Sequence, residues 1–322
     1  MRVGVIGLGA LGRPISELLL KARYRTAVYD VRREPMQELA AIGAQACASP
    51  AAVAEQSDLI ISLVSDAAQT DAIVSGENGI LDTFQRGAIL AIGSTLGPEP
   101  VQRVAMKIAA KGGDTLDMPI SGGILAAKEG RLSLMVGGTP ATLGRVLPVF
   151  RVFARDITHT GAVGSGQAAK LAHQLVFSVN VMALLEGLAL GVAGGVTPEI
   201  MKNVLKQGLA NSTVLQVWHD LGPRWKGMLE ATPPDAPLPN MRKDLHLVLE
   251  LAESLGMPLQ IAEHASQVAD SGTAIGRDDP EICFARPAGY SRPTTASVGR
   301  EHPAFRAELP ITNYQLPVTH HP

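Results

Sequence analysis

The chain has 322 residues, of which 46% are hydrophobic and 18% charged, and its net charge is −2. This length suits two domains, and the apolar content excludes wholesale disorder. A near-neutral charge with only 4% aromatic residues disfavours nucleic acid and anionic membranes as partners. The two cysteines, Cys47 and Cys283, have neither a disulfide pattern nor a zinc spacing, so we expect no metal and a reducing, cytoplasmic compartment.

Short apolar runs alternate with helical periodicity in the first half of the chain. We predict strands at 3–6, 27–29, 59–64, 88–92, 115–116 and 132–136. Helices are predicted between them, at 13–22, 33–42, 98–110 and 140–150. Such alternation, with runs that are apolar on both faces, is typical of a parallel sheet covered by helices.

After residue 165 the pattern predicts helices alone, at 165–193, 198–207, 244–255 and 258–269. The apolar stretch 175–196 is long enough to span a membrane, but Asn180 and Glu186 favour a buried helix of a soluble protein. Arg13 and Glu17 likewise disfavour a signal peptide at the amino terminus.

These patterns divide the chain into an α/β domain over 1–162, a helical domain over 163–276 and a tail over 277–322. Residues 280–322 hold seven of the 22 prolines and lack apolar periodicity, which favours an extended or disordered tail. A tail that wraps a neighbouring subunit is the alternative. The long apolar helix exceeds what one small domain can bury, so we expect a homodimer or homotetramer.

The first strand runs into Gly7-x-Gly9-x-x-Gly12, and a helix follows. Gly7 permits the tight turn, Gly9 lets backbone amides approach a pyrophosphate, and Gly12 lets the helix pack on the strand. Asp30 ends the next strand, 23 residues after Gly7, where an acid suits the adenosine ribose. This context predicts a dinucleotide site in a Rossmann domain.

Asp30 favours NAD over NADP because its carboxylate would repel a 2′-phosphate. Arg32 and Arg33 follow directly and could bind that phosphate instead. The ends of later strands should also face the cofactor, and we expect Leu63, Val64, Ser65, Ser94 and Thr95 to line its nicotinamide half. For the last two residues a cap of the helix at 98–110 is an equally good interpretation.

Three further segments carry polar groups suited to chemistry, at 117–123, 241–245 and 164–174. Ser121 precedes Gly122 and Gly123, and a hydroxyl beside closely spaced amides suits a carboxylate, although an ordinary turn has the same pattern. Lys243 and Asp244 begin a later helix, where Asp244 suits the first turn. Lys243 could be solvated or could reach a bound cofactor.

Lys170 and Gln174 share one face near the start of the apolar helix. Desolvation there would lower the lysine pKa from about 10.4 toward neutrality and make it an acid or base for an alcohol. A lysine whose head reaches solvent is the alternative. His173 competes for the acid–base role, and could equally be a packed helix residue.

With these segments in view, residues 1–276 resemble the β-hydroxyacid dehydrogenase family, which includes 3-hydroxyisobutyrate dehydrogenase and tartronate semialdehyde reductase and, more distantly, 6-phosphogluconate dehydrogenase. The resemblance rests on four ordered segments, at 7–12, 117–123, 164–170 and 243–245. It implies an N-terminal Rossmann domain and an all-α C-terminal domain joined by a long helix. It also implies hydride transfer between NAD(P) and the hydroxyl-bearing carbon of a small β-hydroxy carboxylic acid.

The resemblance assigns the catalytic role to Lys170, substrate binding to the 121–123 loop and cofactor contacts to Thr95 and Lys243. With the residues argued above, the expected cofactor set is Gly7, Leu8, Gly9, Ala10, Leu11, Gly12, Asp30, Leu63, Val64, Thr95 and Lys243.

This chain departs from the family where His173-Gln174 replaces the usual Asn-Asn. The second of those asparagines normally binds substrate, so we expect Gln174 to contact it and to alter the pocket. The departure leaves an imine reductase of the same fold, or a dinucleotide-binding scaffold without catalysis, as alternatives. The presence of Lys170 argues against the imine reductase.

Overall fold

The computed structural model describes residues 1–216 and 239–270. Its strands are β1 (Val3–Ile6), β2 (Thr26–Tyr29), β3 (Gln45–Ala46), β4 (Leu59–Ser62), β5 (Ile89–Ile92), β6 (Asp114–Asp117), β7 (Ile120–Ser121), β8 (Leu132–Gly137) and β9 (Ala154–Gly161). The first eight helices are α1 (Gly12–Lys21), α2 (Arg33–Ala41), α3 (Pro50–Glu55), α4 (Ala67–Ser75), α5 (Ile80–Thr83), α6 (Pro98–Ala110), α7 (Gly123–Lys128) and α8 (Pro140–Phe150). The others are α9 (Ser165–Ala193), α10 (Pro198–Gln207), α11 (Thr213–Gln216), α12 (Pro239–Ser254) and α13 (Gln260–Asp270).

The strands form one sheet in the order β3-β2-β1-β4-β5-β6-β8-β7, and β9 pairs with β8. The strands from β3 to β6 in this order are parallel, and β8 is antiparallel to β6 and β7. Chain order reverses between β1 and β4, and ligands of open α/β sheets bind at the carboxyl ends of strands at such a point.

The inner strands are buried on both faces. Alternate residues of each strand contribute to two separate apolar clusters, as Ile61 and Ile60 of β4 show. Such a sheet requires helices on both sides, which the chain supplies between its strands. The predicted class, a parallel Rossmann-like sheet followed by a helical part that begins with a long helix, is confirmed.

The long helix α9 buries one stripe and exposes the opposite face. Val181, Leu185 and Leu188 are buried in a cluster with Leu245 of α12, whereas Leu190 is 76% exposed. Among the described residues, α9 is the one helix whose length and composition suit a membrane span. The prediction that this helix is buried is therefore correct for one of its faces only.

Asp117, at the end of β6, fixes the start of α9. Its carboxylate is fully buried and accepts hydrogen bonds from the backbone amides of Gly164 and Gln167, each at 2.8 Å. Burial raises the pKa of this carboxyl, and the amide hydrogen bonds oppose that rise. A carboxylate at a helix N-terminus also complements the helix dipole.

Several predicted features differ from the structure or lie outside it. The short or polar elements β3, β7, β9, α3, α4, α5, α7 and α11 were not predicted. α12 begins at Pro239, so the prediction that Asp244 lies in the first helical turn is wrong. Cys283 and the predicted tail over 277–322 lie outside the described residues.

Close packing at the start of α9 leaves no room for a side chain at Gly166. A Cβ there would lie 2.4 Å from the Met135 carbonyl oxygen and 2.7 Å from Asp117 Oδ2. We expect Gly166→Ala to lower the free energy of unfolding by about 2–4 kcal/mol in chemical denaturation. Gly187→Ala in the same helix is the control, because its Cβ would meet nothing within 4 Å. Equal stability of the two variants would contradict this packing argument.

Candidate active site

The glycine turn between β1 and α1 has the shape that a pyrophosphate requires. Gly7 has φ +91°, and a Cβ at Gly12 would lie 1.8 Å from the Gly7 carbonyl oxygen, so neither position tolerates a side chain. A Cβ at Gly9 would meet nothing within 4 Å, which leaves open space above the turn. The N-terminus of α1 directs unpaired N–H groups and the positive end of its dipole toward this space. The turn therefore fits a dinucleotide.

The remaining residues of the turn differ in what they expose. Leu8 is buried, Leu11 is partly buried and Ala10 is exposed. The side chain of Leu8 therefore does not face a ligand, and its backbone amide donates to Asp30. Leu63 and Val64 follow β4 and are partly buried. The backbone carbonyl group of Leu63 lies 2.8 Å from the position of a Cβ on Gly7, which places Leu63 directly against the turn.

Asp30 follows β2 beside the glycine turn and is already engaged by protein groups. It accepts hydrogen bonds from Leu8 N at 2.7 Å, Arg32 N at 2.9 Å and Arg32 Nε at 3.0 Å. Burial opposes its ionisation, but these bonds outweigh burial and hold the pKa of Asp30 below its usual value. The group is therefore a carboxylate at neutral pH, paired with an arginine whose side chain is 59% exposed. Arg33 begins α2.

The loop after β5 is tied to α9 by a buried glutamine. Gln167 is fully buried, and its side chain accepts from Leu96 N at 2.9 Å and donates to the Ser94 carbonyl at 2.9 Å. The Ser94 hydroxyl donates to the Val64 carbonyl, joining the ends of β4 and β5. α6 begins after Gly97 without a side-chain cap, so the helix-cap interpretation of Ser94 and Thr95 is wrong.

Lys243 approaches the same loop from α12. Its Nζ donates to the Thr95 carbonyl at 3.0 Å and lies 3.4 Å from Asp244 Oδ1. The ammonium group of Lys243 therefore lies at the carboxyl end of β5, next to the pair β1 and β4 at which chain order reverses.

Lys170 lies one turn beyond Gln167 and is only 6% exposed. Its Nζ donates to Gln174 Oε1 at 3.0 Å, and Gln174 Nε2 donates to Asp244 Oδ2 at 2.5 Å. Burial lowers the pKa of Lys170 to about 8, while the negative charge of Asp244 opposes the fall and the positive charge of Lys243 adds to it. An amine with this pKa exchanges a proton readily near neutral pH.

His173 connects this cluster with the end of β7. Its Nε2 lies 3.3 Å from Ser121 Oγ, and its Nδ1 lies 3.0 Å from Gln174 Oε1. Gly122 and Gly123 are exposed beside Ser121 and have φ of +122° and +68°. Partial desolvation of the ring in an otherwise exposed residue, together with the charge of Lys170, lowers the pKa of His173.

The structure therefore joins Ser121, His173, Gln174, Lys170 and Asp244 by hydrogen bonds, although these residues lie on β7, α9 and α12. Sequence reasoning found the first four. It missed Asp244 as the partner of Gln174, and it missed Asp117 and Gln167 as the residues that anchor α9. All three lie within the four segments that it had singled out.

Two family models match the chain. The NAD-binding domain of 6-phosphogluconate dehydrogenase matches residues 2–161, and a second model, described as NAD-binding of NADP-dependent 3-hydroxyisobutyrate dehydrogenase, matches residues 164–282. Together they cover most of the chain. The chain belongs to the β-hydroxyacid dehydrogenase family. The prediction of an oxidoreductase that binds NAD(P) is therefore confirmed.

Individual relatives agree with the family models. The chain is 34% identical to 2-hydroxy-3-oxopropionate reductase of Escherichia coli K12, over 86% of this chain and 92% of that protein. It is 31% identical to 2-(hydroxymethyl)glutarate dehydrogenase of Eubacterium barkeri, over 87% of this chain and 92% of that protein. A crystal structure of 3-hydroxyisobutyrate dehydrogenase from Salmonella typhimurium superposes with a TM-score of 0.72 at 27% identity, covering 84% of this chain and 93% of that one.

The two charged neighbours of Lys170 should shift its pKa in opposite directions. Asp244→Asn removes a negative charge, so we expect the Lys170 pKa to fall below about 8. Lys243→Met removes a positive charge and should raise it. The pH dependence of Lys170 modification by an amine-reactive reagent, followed by peptide mass spectrometry, measures both. Asp71→Asn serves as a control without effect, because Asp71 on α4 pairs with Lys107 of α6. A shift in the same direction for both site variants would contradict the electrostatic account.

Proposed function

We propose that this enzyme oxidises a small β-hydroxy carboxylic acid similar to 3-hydroxyisobutyrate, with Lys170 as the acid–base group. The observation that carries the proposal is the nearly complete burial of Lys170, which lowers its pKa to about 8, within a hydrogen-bonded cluster that reaches Ser121. The relatives named above act on related short hydroxy or oxo acids according to their names.

The glycine turn, Asp30 and Lys243 would hold a dinucleotide, which when bound would supply hydride chemistry at the carbinol carbon in either direction. Neutral Lys170 accepts the hydroxyl proton during oxidation, and protonated Lys170 donates a proton during reduction. The Ser121 hydroxyl and the amides of Gly122 and Gly123 hold the carboxylate of the substrate. Gln174, held by Asp244, orients the lysine amine. A contact between Gln174 and the substrate is part of the proposal.

Removal of the amine should abolish most turnover. We expect Lys170→Ala to lower kcat by about 10²-fold or more, while the Kd for the dinucleotide stays nearly unchanged. In the wild-type enzyme, kcat for oxidation should rise with pH and level off above about 8, because only the neutral amine accepts a proton. Steady-state kinetics and calorimetry measure these quantities.

The matched control is Lys111→Ala, which removes an exposed lysine after α6. It should leave both quantities unchanged. Retained turnover in Lys170→Ala would end the assignment and make His173 the candidate. NADPH-dependent reduction of a cyclic imine, with no oxidation of hydroxy acids, would favour the alternative of an imine reductase.

We further propose NAD as the preferred cofactor, since Asp30 stays ionised beside the glycine turn. Arg32 partly neutralises the charge of Asp30 and competes with the ribose for its carboxylate oxygens. Both effects limit the preference for NAD over NADP.

Asp30→Asn removes the repelling charge and loosens Arg32. We expect the ratio of kcat/KM for NAD to that for NADP to fall roughly tenfold or more. Asp58→Asn is the matched control, because Asp58 also pairs with an arginine, Arg2, but precedes β4 and so lies at the opposite edge of the sheet. An unchanged ratio in Asp30→Asn would show that Asp30 does not select the cofactor.

A homodimer or homotetramer is also proposed. It is supported by the exposed apolar side chains of Val176 and Leu190 on α9 and of Ile200 and Val204 on α10. Burial of such a surface is a common reason for association.

A further inference from the structure

The amide of Gln174 has only one orientation that satisfies its neighbours. Its Nε2 faces Asp244 Oδ2 at 2.5 Å, and a carboxylate can only accept a hydrogen bond. Gln174 Oε1 therefore faces both Lys170 Nζ and His173 Nδ1, each at 3.0 Å. An amide oxygen also only accepts, so Nδ1 of His173 must carry a hydrogen.

This assignment fixes the role of the other ring nitrogen. In a neutral ring with a hydrogen on Nδ1, Nε2 is an acceptor. The Ser121 hydroxyl, 3.3 Å away, must then donate to Nε2 and present only its lone pairs to the cleft. A carboxylate brings only lone pairs itself, so neutral His173 makes Ser121 a poor partner for it.

Protonation of the ring reverses this hydrogen bond. Nε2 then donates to Ser121 Oγ, and the hydroxyl hydrogen becomes free to bind a substrate carboxylate. The ring also brings a positive charge next to that carboxylate. His173 is exposed, so its proton can exchange with solvent.

Among residues 1–216 and 239–270, the charged groups near His173 come from α9 and α12. Lys170 lies one turn away on α9 and opposes protonation of the ring. On α12, Asp244 is linked to the ring through Gln174, and Lys243 adjoins Asp244. From β7 the ring meets Ser121, which does not ionise in this range.

We propose that His173 is a specificity-determining residue that couples recognition of the substrate carboxylate to protonation of its own ring, by setting the direction of the Ser121 hydroxyl. The inference rests on the proposed function in one respect, namely that Ser121 binds the carboxylate. Anionic substrates should bind more tightly below the pKa of His173, and uncharged analogues should not.

Kinetics with a matched pair of substrates test this coupling. We would measure kcat/KM for 3-hydroxyisobutyrate and for its carboxamide between pH 5 and 9, in the wild-type enzyme and in His173→Asn. Acid–base catalysis by Lys170 affects both substrates equally, so it cancels in the ratio of kcat/KM for the acid to kcat/KM for the carboxamide. Attraction of the carboxylate by protonated Lys170 changes the ratio near pH 8 in both enzymes.

The expected result is a second rise of the ratio below about pH 6.5, by about tenfold, in the wild-type enzyme alone. Asparagine can still hydrogen-bond to Ser121 but cannot titrate, so its ratio should stay flat there. Identical profiles for the two enzymes would overturn the proposal.

A titration by NMR provides a readout that needs no turnover. The ring signal of His173 in the full chain with bound NADH, which cannot accept a hydride from the acid, is identified by its loss in His173→Asn. By reciprocity, a tenfold preference for the protonated ring means that 3-hydroxyisobutyrate raises the ring pKa by about one pH unit. The carboxamide should not raise it, and Ser121→Ala should weaken the effect of the acid.

The two measurements separate the possible failures. Turnover of hydroxy acids with a ring pKa that ignores the acid would overturn the role of His173 and leave the proposed function intact. A ring pKa that rises with the acid, in an enzyme that oxidises no hydroxy acid, would support the role of His173 and refute the proposed reaction. No turnover and no rise would refute both.

Discussion

The attachment of α9 to the sheet is the constraint on which the site depends. Asp117 holds the first amides of the helix, and Gln167 binds the backbone of the loop after β5. Both side chains are fully buried, where an unpaired polar group would be costly, so the helix has little freedom to shift. Lys170 lies one turn farther along, and its position relative to the strand ends follows from these contacts.

Burial then gives this lysine its chemistry. An exposed lysine would be almost wholly protonated at neutral pH, whereas removal from water lowers the Lys170 pKa to about 8. Asp244 limits the fall and also holds Gln174, so one carboxylate moderates the charge of the amine and positions its hydrogen-bond partner. The positive charge of Lys243 lowers the Lys170 pKa further, and its ammonium group donates a hydrogen bond to the Thr95 carbonyl.

The sequence predicted the elements whose ends carry strong local signals. The starts of α6, α8 and α10 coincide with Pro98, Pro140 and Pro198, because proline suits the first helical position. The strand β9 was missed because polar residues fill it and its register with β8 shifts twice. Helical spacing paired Lys170 with Gln174, but it could not reveal that Gln174 meets Asp244, since a contact 70 positions apart is set by tertiary packing.

The two titratable groups of the site respond to the same surroundings with opposite consequences. Burial lowers the pKa of both Lys170 and His173, and the positive charge of a neighbouring lysine adds to the fall in each case. For Lys170 this increases the neutral form that oxidation needs, whereas for His173 it reduces the cation that favours a carboxylate. Turnover of an anionic hydroxy acid would therefore be limited by the amine at low pH and by binding at high pH. The direction of catalysis decides which limit matters, because reduction uses the protonated amine and tolerates the lower pH at which His173 is also charged.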